Sequence, residues 1–399
     1  MNLYLQHLGI ACNLGVGAEQ VADNLFNQPS RLLQSDEFSP GRPFFLGRVE
    51  SDLPQISAVL ARYNCRNNRL LLLALEQIEA AVNKVIEQFG RQRIGIVLGT
   101  STSGIAETEK AFASRQITGS LPDEFHFLQQ QLSGASDFMA LHLDIHGPTI
   151  AISTACSSSA NALATARNLL RMDQCDAVIV GGADSLCHLT VQGFAALEAM
   201  SERIANPFSK NRDGINIGEG AALMLLSKTP SDIALLSVGC SSDAHHISAP
   251  QPMGEGAEQA MRTALQQAEL KPLEVEYLNL HGTGTALNDA AEGQAVSRLF
   301  GDKLPCSSSK PLTGHTLGAA GIIETALCWL SMQTKYNPLA QRIPHYWDGE
   351  ADPDIASLSL VSMPGHGPSF NQTLPKICMS NSFAFGGNNT SVVLGRANL

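Results

Sequence analysis

Charge is scarce in this chain. Only 16% of its 399 residues are Asp, Glu, Lys or Arg, against about 25% in an ordinary soluble protein. The basic share is smaller still: 26 Lys and Arg stand against 37 Asp and Glu, a net charge of −11. Phosphate contacts need clustered Lys and Arg, so nucleic acid is excluded as a general partner. No apolar run approaches the ~18 residues of a membrane-spanning helix, so no span is expected. No CxxC pair occurs. The nine cysteines (Cys12, Cys65, Cys156, Cys175, Cys187, Cys240, Cys306, Cys328 and Cys378) are odd in number and widely spaced. That argues against a disulfide framework and against a structural zinc site. The N-terminus, MNLYLQHLGIACNLG, lacks the basic start of a signal peptide, so a cytoplasmic location is expected.

Apolar residues, at 44%, and 34 glycines are what the chain has instead. It can bury a large core, and at ~150 residues per domain its length suggests two or three units. Short apolar runs alternate with helical stretches. Arg93–Ser101, Thr149–Ala155, Asp176–Asp184 and Ala222–Lys228 read as buried strands, continuous rather than alternating, as in sheets covered on both faces. Helices are expected at Asn68–Val85 and Ser157–Arg171. After a turn-like TPSD the pattern resumes. Strands are expected at Ile233–Ser242, Val275–Gly282, Leu304–Ser309, Ile377–Ser382 and Ser391–Gly395. Helices are expected at Glu255–Ala268 and from about Leu317 to Met332. The chain therefore reads as α/β, with two similar halves, 1–230 and 231–399. Tyr336–Gly367, rich in Pro, Asp and Gly, is expected as an irregular surface excursion.

Four segments carry candidate chemistry. Cys156 stands between a strand and a helix, where unpaired N–H groups and the helix dipole favour a thiolate. His281 opens the loop HGTGTALND at the carboxyl end of a strand, where α/β proteins bind ligands. GTGT lacks the spacing and the Lys of a phosphate loop. In SSSKPLTGHTLGAAGIIETAL, Lys310 lies five residues before His315, and its charge would keep that imidazole neutral. Glu324 follows on the same helix. In NSFAFGGNN, Phe383 and Phe385 flank a turn whose Gly386–Gly387 pair needs special backbone angles.

Taken together, TACSSSANAL, RDGINIGEGAA, HGTGTALND, KPLTGHTLGAAGIIE and NSFAFGGNN resemble, in order, the β-ketoacyl-acyl-carrier-protein synthases of the thiolase superfamily. The resemblance covers nearly the whole chain. It implies a five-layer αβαβα fold of two pseudo-equivalent halves, the first carrying the nucleophile and the second both histidines. It implies decarboxylative condensation of an acyl thioester with malonyl carrier protein, without cofactor or metal. Cys156 would be the nucleophile. His281 and His315 would hold the enolate, and Lys310 would tune them. The Cys156 and Phe383 N–H groups would hold the acyl-transfer oxyanion, with Phe383 gating entry. Thr283 and Thr285 match pantetheine-binding positions. Asp289, Glu292 and Glu324 match a supporting acidic network. Thr102 matches a residue lining the distal acyl pocket. Arg62, Arg66 and Arg69, along one helical side, match a docking patch for acyl carrier protein, and Arg203 is a further candidate.

Some positions depart from the family pattern. Ser209 replaces an Asp, Ile215 a Phe and Ala384 a Gly, and the loop Ser201–Pro207 is short. They favour a specialised polyene or polyketide enzyme, paired with a cysteine-less chain-length-factor-like subunit, over a homodimer of housekeeping fatty acid synthesis. A thiolase-type acyltransferase, with Cys378 as second reactive cysteine, fits the His315–Lys310 segment less well. A non-catalytic subunit would not need Cys156.

Overall fold

The computed structural model describes residues 2–28, 30–362 and 373–397. Ten strands build the scaffold: β1 (Tyr4–Cys12), β2 (Ile94–Gly99), β3 (Thr149–Ile152), β4 (Ala177–Asp184), β5 (Gly220–Ser227), β6 (Ile233–Ser242), β7 (Tyr277–Asn279), β8 (Pro305–Ser307), β9 (Ile377–Phe383) and β10 (Asn388–Arg396). The first five lie in the order β3-β2-β4-β5-β1 and the second five in the order β8-β7-β9-β10-β6. Numbered within each set, both read third, second, fourth, fifth, first. In each set the first three positions are parallel and the last two pairings antiparallel. The sets meet edge to edge where Tyr4 of β1 pairs with Ala234 of β6.

Helices cover every face, which is why strands such as β2 and β4 are buried along their whole length. The main covering helices include α1 (Arg66–Glu76), α2 (Gly134–Leu143), α3 (Ser158–Arg171), α4 (Glu255–Ala268), α5 (Ala286–Phe300) and α6 (Ala320–Ser331). Helices α1 and α2 pack outside the first set, and α4 outside the second with α5 against it. Between the sets, α3 and α6 pack on each other and on strands of both. The layers thus run α, β, α, β, α. Helix α6 is buried on every side. Its Ile322, Ile323, Leu327 and Leu330 are fully buried, each worth about 1.5–3 kcal/mol. The close approach of the two central helices depends on Gly321, where a Cβ would lie 2.7 Å from Ala160 Cβ and N.

The expected helix Asn68–Val85 is two helices, α1 and Glu79–Phe89. The chain breaks at Ile78 because the Gln77 amide turns onto β1, accepting from Ile10 N and donating to Ile10 O. The strand expected at Val275–Gly282 is only Tyr277–Asn279, which frees His281 and the following loop. A single 3₁₀ turn, Leu317–Ala319, precedes α6. Most of the excursion after Tyr336 is irregular apart from the two-residue strand Ser359–Leu360. Its end, 363–367, lies outside the described residues.

Candidate active site

Cys156 is placed by a sharp strand-to-helix turn. After β3 the chain reaches Ala155 at φ 51, a left-handed conformation. The neighbouring serines lock it: Ser158 Oγ donates to Ala155 O and accepts from Thr154 N, and Ser157 Oγ donates to Thr154 O. The small residues around the thiol therefore hold a strained turn as well as leaving room. Cys156 itself is 6% exposed. Burial pushes its thiol up to about 11, against the opposing pull of the Lys310 charge and the Phe385 backbone N–H. The expected helix-end thiolate is thus overturned: desolvation outweighs the dipole, and the resting group is a thiol.

His315 Nε2 lies 2.9 Å from Cys156 Sγ. The His281 ring stands edge-on to His315, with centroids 5.3 Å apart at 82°, and the Phe383 ring is 6.2 Å from His281. Burial first, then the charge of Lys310, holds both imidazoles well below the ordinary range. They are neutral, as expected.

Lys310 Nζ donates to His281 O and, at 2.5 Å, to Glu324 Oε1. Both side chains of this pair are 2% exposed. The ammonium also lies 3.5 Å from His281 Nδ1. Glu324 thus keeps a cation beside the imidazoles at tolerable cost. Asp289 and Glu292, i and i+3 on α5, face the His281 loop. Glu292 accepts from His281 N and Gly282 N at 2.8 and 2.7 Å, and from Asn381 Nδ2. Burial raises its carboxyl to about 7. Asp289 accepts from Gly284 N and Phe208 N. Both carboxyls fix the loop backbone rather than face the thiol.

A cavity of about 360 Å³ opens onto Cys156, His281 and His315, with Thr283, Thr285 and Phe385 in its wall. The two threonine hydroxyls are 2.9 Å apart. Phe383 lines it as well, but the backbone N–H directed at the Cys156 sulfur belongs to Phe385. Phe383 is still in strand register, opposite Asn389, and the chain turns back only after it, through Gly386 and Gly387 at φ 83 and 76. The N–H that faces the sulfur is therefore that of Phe385, not of Phe383 as expected. The motif contained both residues, and its spacing did not say which one faces the sulfur.

Thr102 is buried outside this lining, and its hydroxyl donates to Asp184 Oδ1 at 2.8 Å. Asp184, missed in the sequence, is fully buried at the end of β4. It accepts from the Thr100, Ser101 and Thr102 hydroxyls, from Ser101 N and Thr102 N, and from Gly318 N, three residues after His315. A Cβ on Gly318 would lie 2.7 Å from that carboxylate.

The basic residues do not form one helical side. Arg62 precedes α1 in the turn Ala58–Tyr63, exposed over the Tyr63 ring. Arg66 is paired with the fully buried Glu219 at 2.5 Å. Arg69 donates to Leu53 O and Pro54 O. Arg203 is paired with Asp213 at 2.8 Å. Arg66 is thus first a structural counter-ion.

A thiol facing two neutral imidazoles where two matching α/β halves meet defines an acyl-thioester condensing enzyme. Residues 48–231 match the N-terminal domain of β-ketoacyl synthase and residues 234–342 its C-terminal domain, and the chain belongs to that family. It is 32% identical to 3-oxoacyl-[acyl-carrier-protein] synthase 2 of Coxiella burnetii, over 78% of this chain and 77% of that one. It is 33% identical to nodulation protein E of Rhizobium meliloti, over 74% of each. Among solved structures, a chain of the complex of the ketosynthase ApeO with its chain length factor ApeC, from Xenorhabdus doucetiae, superposes with a TM-score of 0.92. That match has 42% identity and covers 99% of this chain and 98% of the matched one. The activity is decarboxylative condensation of an acyl thioester with a malonyl thioester, an acyltransferase reaction that lengthens the chain by two carbons. Among the described residues no helix is long and apolar enough to cross a membrane.

Proposed function

We propose that this enzyme is a specialised ketosynthase that extends polyene or polyketide chains on acyl carrier protein, in a heterodimer with a cysteine-less chain-length-factor-like paralogue. One observation carries this reading. The chain is 42% identical, over 99% of its length, to a chain of a ketosynthase–chain length factor complex, against 32% to a 3-oxoacyl-[acyl-carrier-protein] synthase 2. The second reading, a homodimer of general fatty acid elongation, is favoured by that same relative. Coexpression with the paralogue separates them. The expected result is a one-to-one complex that alone makes long products, with the chain trapped on Cys156 unsaturated by mass spectrometry. An active homodimer carrying saturated chains overturns the proposal.

The chemistry falls to named groups. The Cys156 sulfur attacks the acyl thioester, and its proton passes through His315 Nε2 to the departing pantetheine sulfur. The Cys156 and Phe385 N–H groups hold the oxyanion of this step. Malonyl then loses CO₂, and the electron pair left behind forms an enolate whose oxygen lies against the His281 N–H and against His315 Nε2–H, the His315 ring having moved its one proton from Nδ1 to Nε2 once the thiol proton has left. The enolate carbon attacks the Cys156 thioester, and the expelled sulfur regains a proton from water. Burial, reinforced by the Lys310 charge, keeps both imidazoles neutral, so that they donate rather than repel. Thr283 and Thr285 bind the pantetheine arm, and Phe383 and Phe385 form the gate. Arg62 and Arg69, with Arg66 and Arg203 where their pairing allows, offer the basic patch for an acidic carrier. Residues 1–230 carry the nucleophile and 231–399 both histidines, and the enzyme works in the cytoplasm.

A further inference from the structure

Cys156, His281 and His315 offer one sulfur and two imidazole nitrogens, all within 4.8 Å of one another and all buried. Tetrahedral zinc, with bonds of about 2.0–2.3 Å, sets its ligand atoms about 3.3–3.6 Å apart. The contact between Cys156 Sγ and His315 Nε2 is 2.9 Å. The other separations, none above 4.8 Å, bracket that spacing, so a slight opening of this contact and an inward shift of His281 would give zinc geometry. We propose that these three residues form a reversible Zn²⁺ site, and that the bound ion inhibits condensation rather than serving it.

The surroundings suit a soft cation. A thiolate and two neutral imidazoles are preferred zinc ligands, and the cavity of about 360 Å³ gives the ion a way in and room for a water in the fourth position. Lys310, the nearby positive charge, is already matched by Glu324 at 2.5 Å. Asp184 adds an anion whose field reaches Cys156. Among the described residues its partners are hydroxyls and backbone N–H groups, with no cation.

The same contacts mark the site as inhibitory. Zinc would occupy the sulfur lone pair that attacks the thioester and both nitrogens that face the enolate. A resident zinc site orients its imidazoles through their second nitrogen, whereas His315 Nδ1 has no hydrogen-bond partner. Binding exchanges one bond for another without oxidation: the S–H bond breaks, the S–Zn bond forms, and one proton leaves to solvent. The neutral imidazoles release none.

The test uses the full-length enzyme and ZnCl₂. Inhibition is expected to saturate at one ion per active site and to be fully reversed by EDTA. Zinc should protect Cys156 from iodoacetamide, read by mass spectrometry of the cysteine peptide. Calorimetry in two buffers of different ionisation heat should report one proton released per ion. Cys156→Ala and His315→Ala should each weaken zinc binding by at least about tenfold, the scale on which even outer-shell partners of a zinc site act. Thermal melts establish that each variant is folded, and protection of the wild-type thiol needs no variant at all. Undiminished zinc binding by Cys156→Ala, or inhibition that leaves Cys156 open to alkylation, overturns the proposal. Either result would move the ion elsewhere, for example to the exposed pair His245 and His246.

Discussion

His315 Nε2 sits 2.9 Å from Cys156 Sγ, although 159 residues separate the two in the chain. The contact joins a neutral imidazole to an un-ionised thiol, since burial lowers the one and raises the other. A thiol pushed up to about 11 stays protonated through neutral pH. Alkylation of Cys156 in the free enzyme should therefore quicken about tenfold per pH unit from pH 7 to 9. A rate that levels off near neutrality would show a thiolate–imidazolium pair instead.

In the proposed mechanism that contact gives the two histidines different functions. Loss of either N–H from the enolate site should slow malonyl decarboxylation by about 10²–10³. His281→Ala should leave acylation of Cys156 nearly intact, because His281 does not take the thiol proton. His315→Ala should slow acylation too. Single-turnover acyl transfer and CO₂ release, measured on the same preparations, read the two steps apart. Equal acylation rates in the two variants would remove the proton-transfer role.

Lys310 and Glu324 should behave as a unit. Glu324→Gln strands an ammonium in a site where both partners are 2% exposed. Breaking one side of such a pair costs about 3–5 kcal/mol, which a shift in the urea midpoint at constant m-value would report. The double variant Lys310→Met/Glu324→Leu should recover much of that stability. It should not recover decarboxylation, because Lys310 no longer holds the His281 carbonyl. Recovery of both would make the pair purely structural.

Cys156, His281 and His315 could be picked out in the sequence because each sits in a short, chemically distinct run, the first two just after strands and His315 just after the helical turn Lys310–Thr313. The two-half α/β plan was legible from buried strands separated by helices. What escaped depended on distant partners. The break between α1 and the next helix comes from Gln77 meeting Ile10, 67 residues away. The pairing of Arg66 depends on Glu219, 153 residues away. The thiol state could not be read from a helix end alone, since local position gives the dipole but not the desolvation that outweighs it. Phe385 was hidden by its neighbour: only the turn geometry decides which of two phenylalanines aims its N–H at the sulfur.

Arg66 and Arg62 should respond differently to charge reversal. Arg66→Glu sets two carboxylates against each other around the fully buried Glu219 and should lower the melting temperature. Arg62→Glu, on an exposed residue, should leave stability within about 0.5 kcal/mol. It should raise KM for acyl carrier at low salt, with less effect at high salt. An unchanged KM at low salt would count against docking on this face.

The Thr102 hydroxyl donates to Asp184, and Asp184 also accepts from Gly318 N, three residues beyond His315. A polar side chain here therefore says nothing about the saturation of the acyl chain, because its hydrogen bond is spent inside the protein. Thr102→Val keeps the volume and removes one donor from a buried carboxylate, a hydrogen bond worth about 1.5–3 kcal/mol. The loosened carboxylate shifts the His315 segment, so kcat should fall by the same factor for every acyl length. Thr102→Phe adds bulk as well. If the residue borders the distal acyl channel, the Phe variant should shorten the longest chain accepted on top of that uniform loss, while short acyl groups still transfer to Cys156. The two effects separate in a series of acyl carriers of increasing length: Val lowers the whole curve, and Phe also truncates it. A Phe curve parallel to that of Val would confine Thr102 to its bond with Asp184 and put the end of the acyl channel elsewhere.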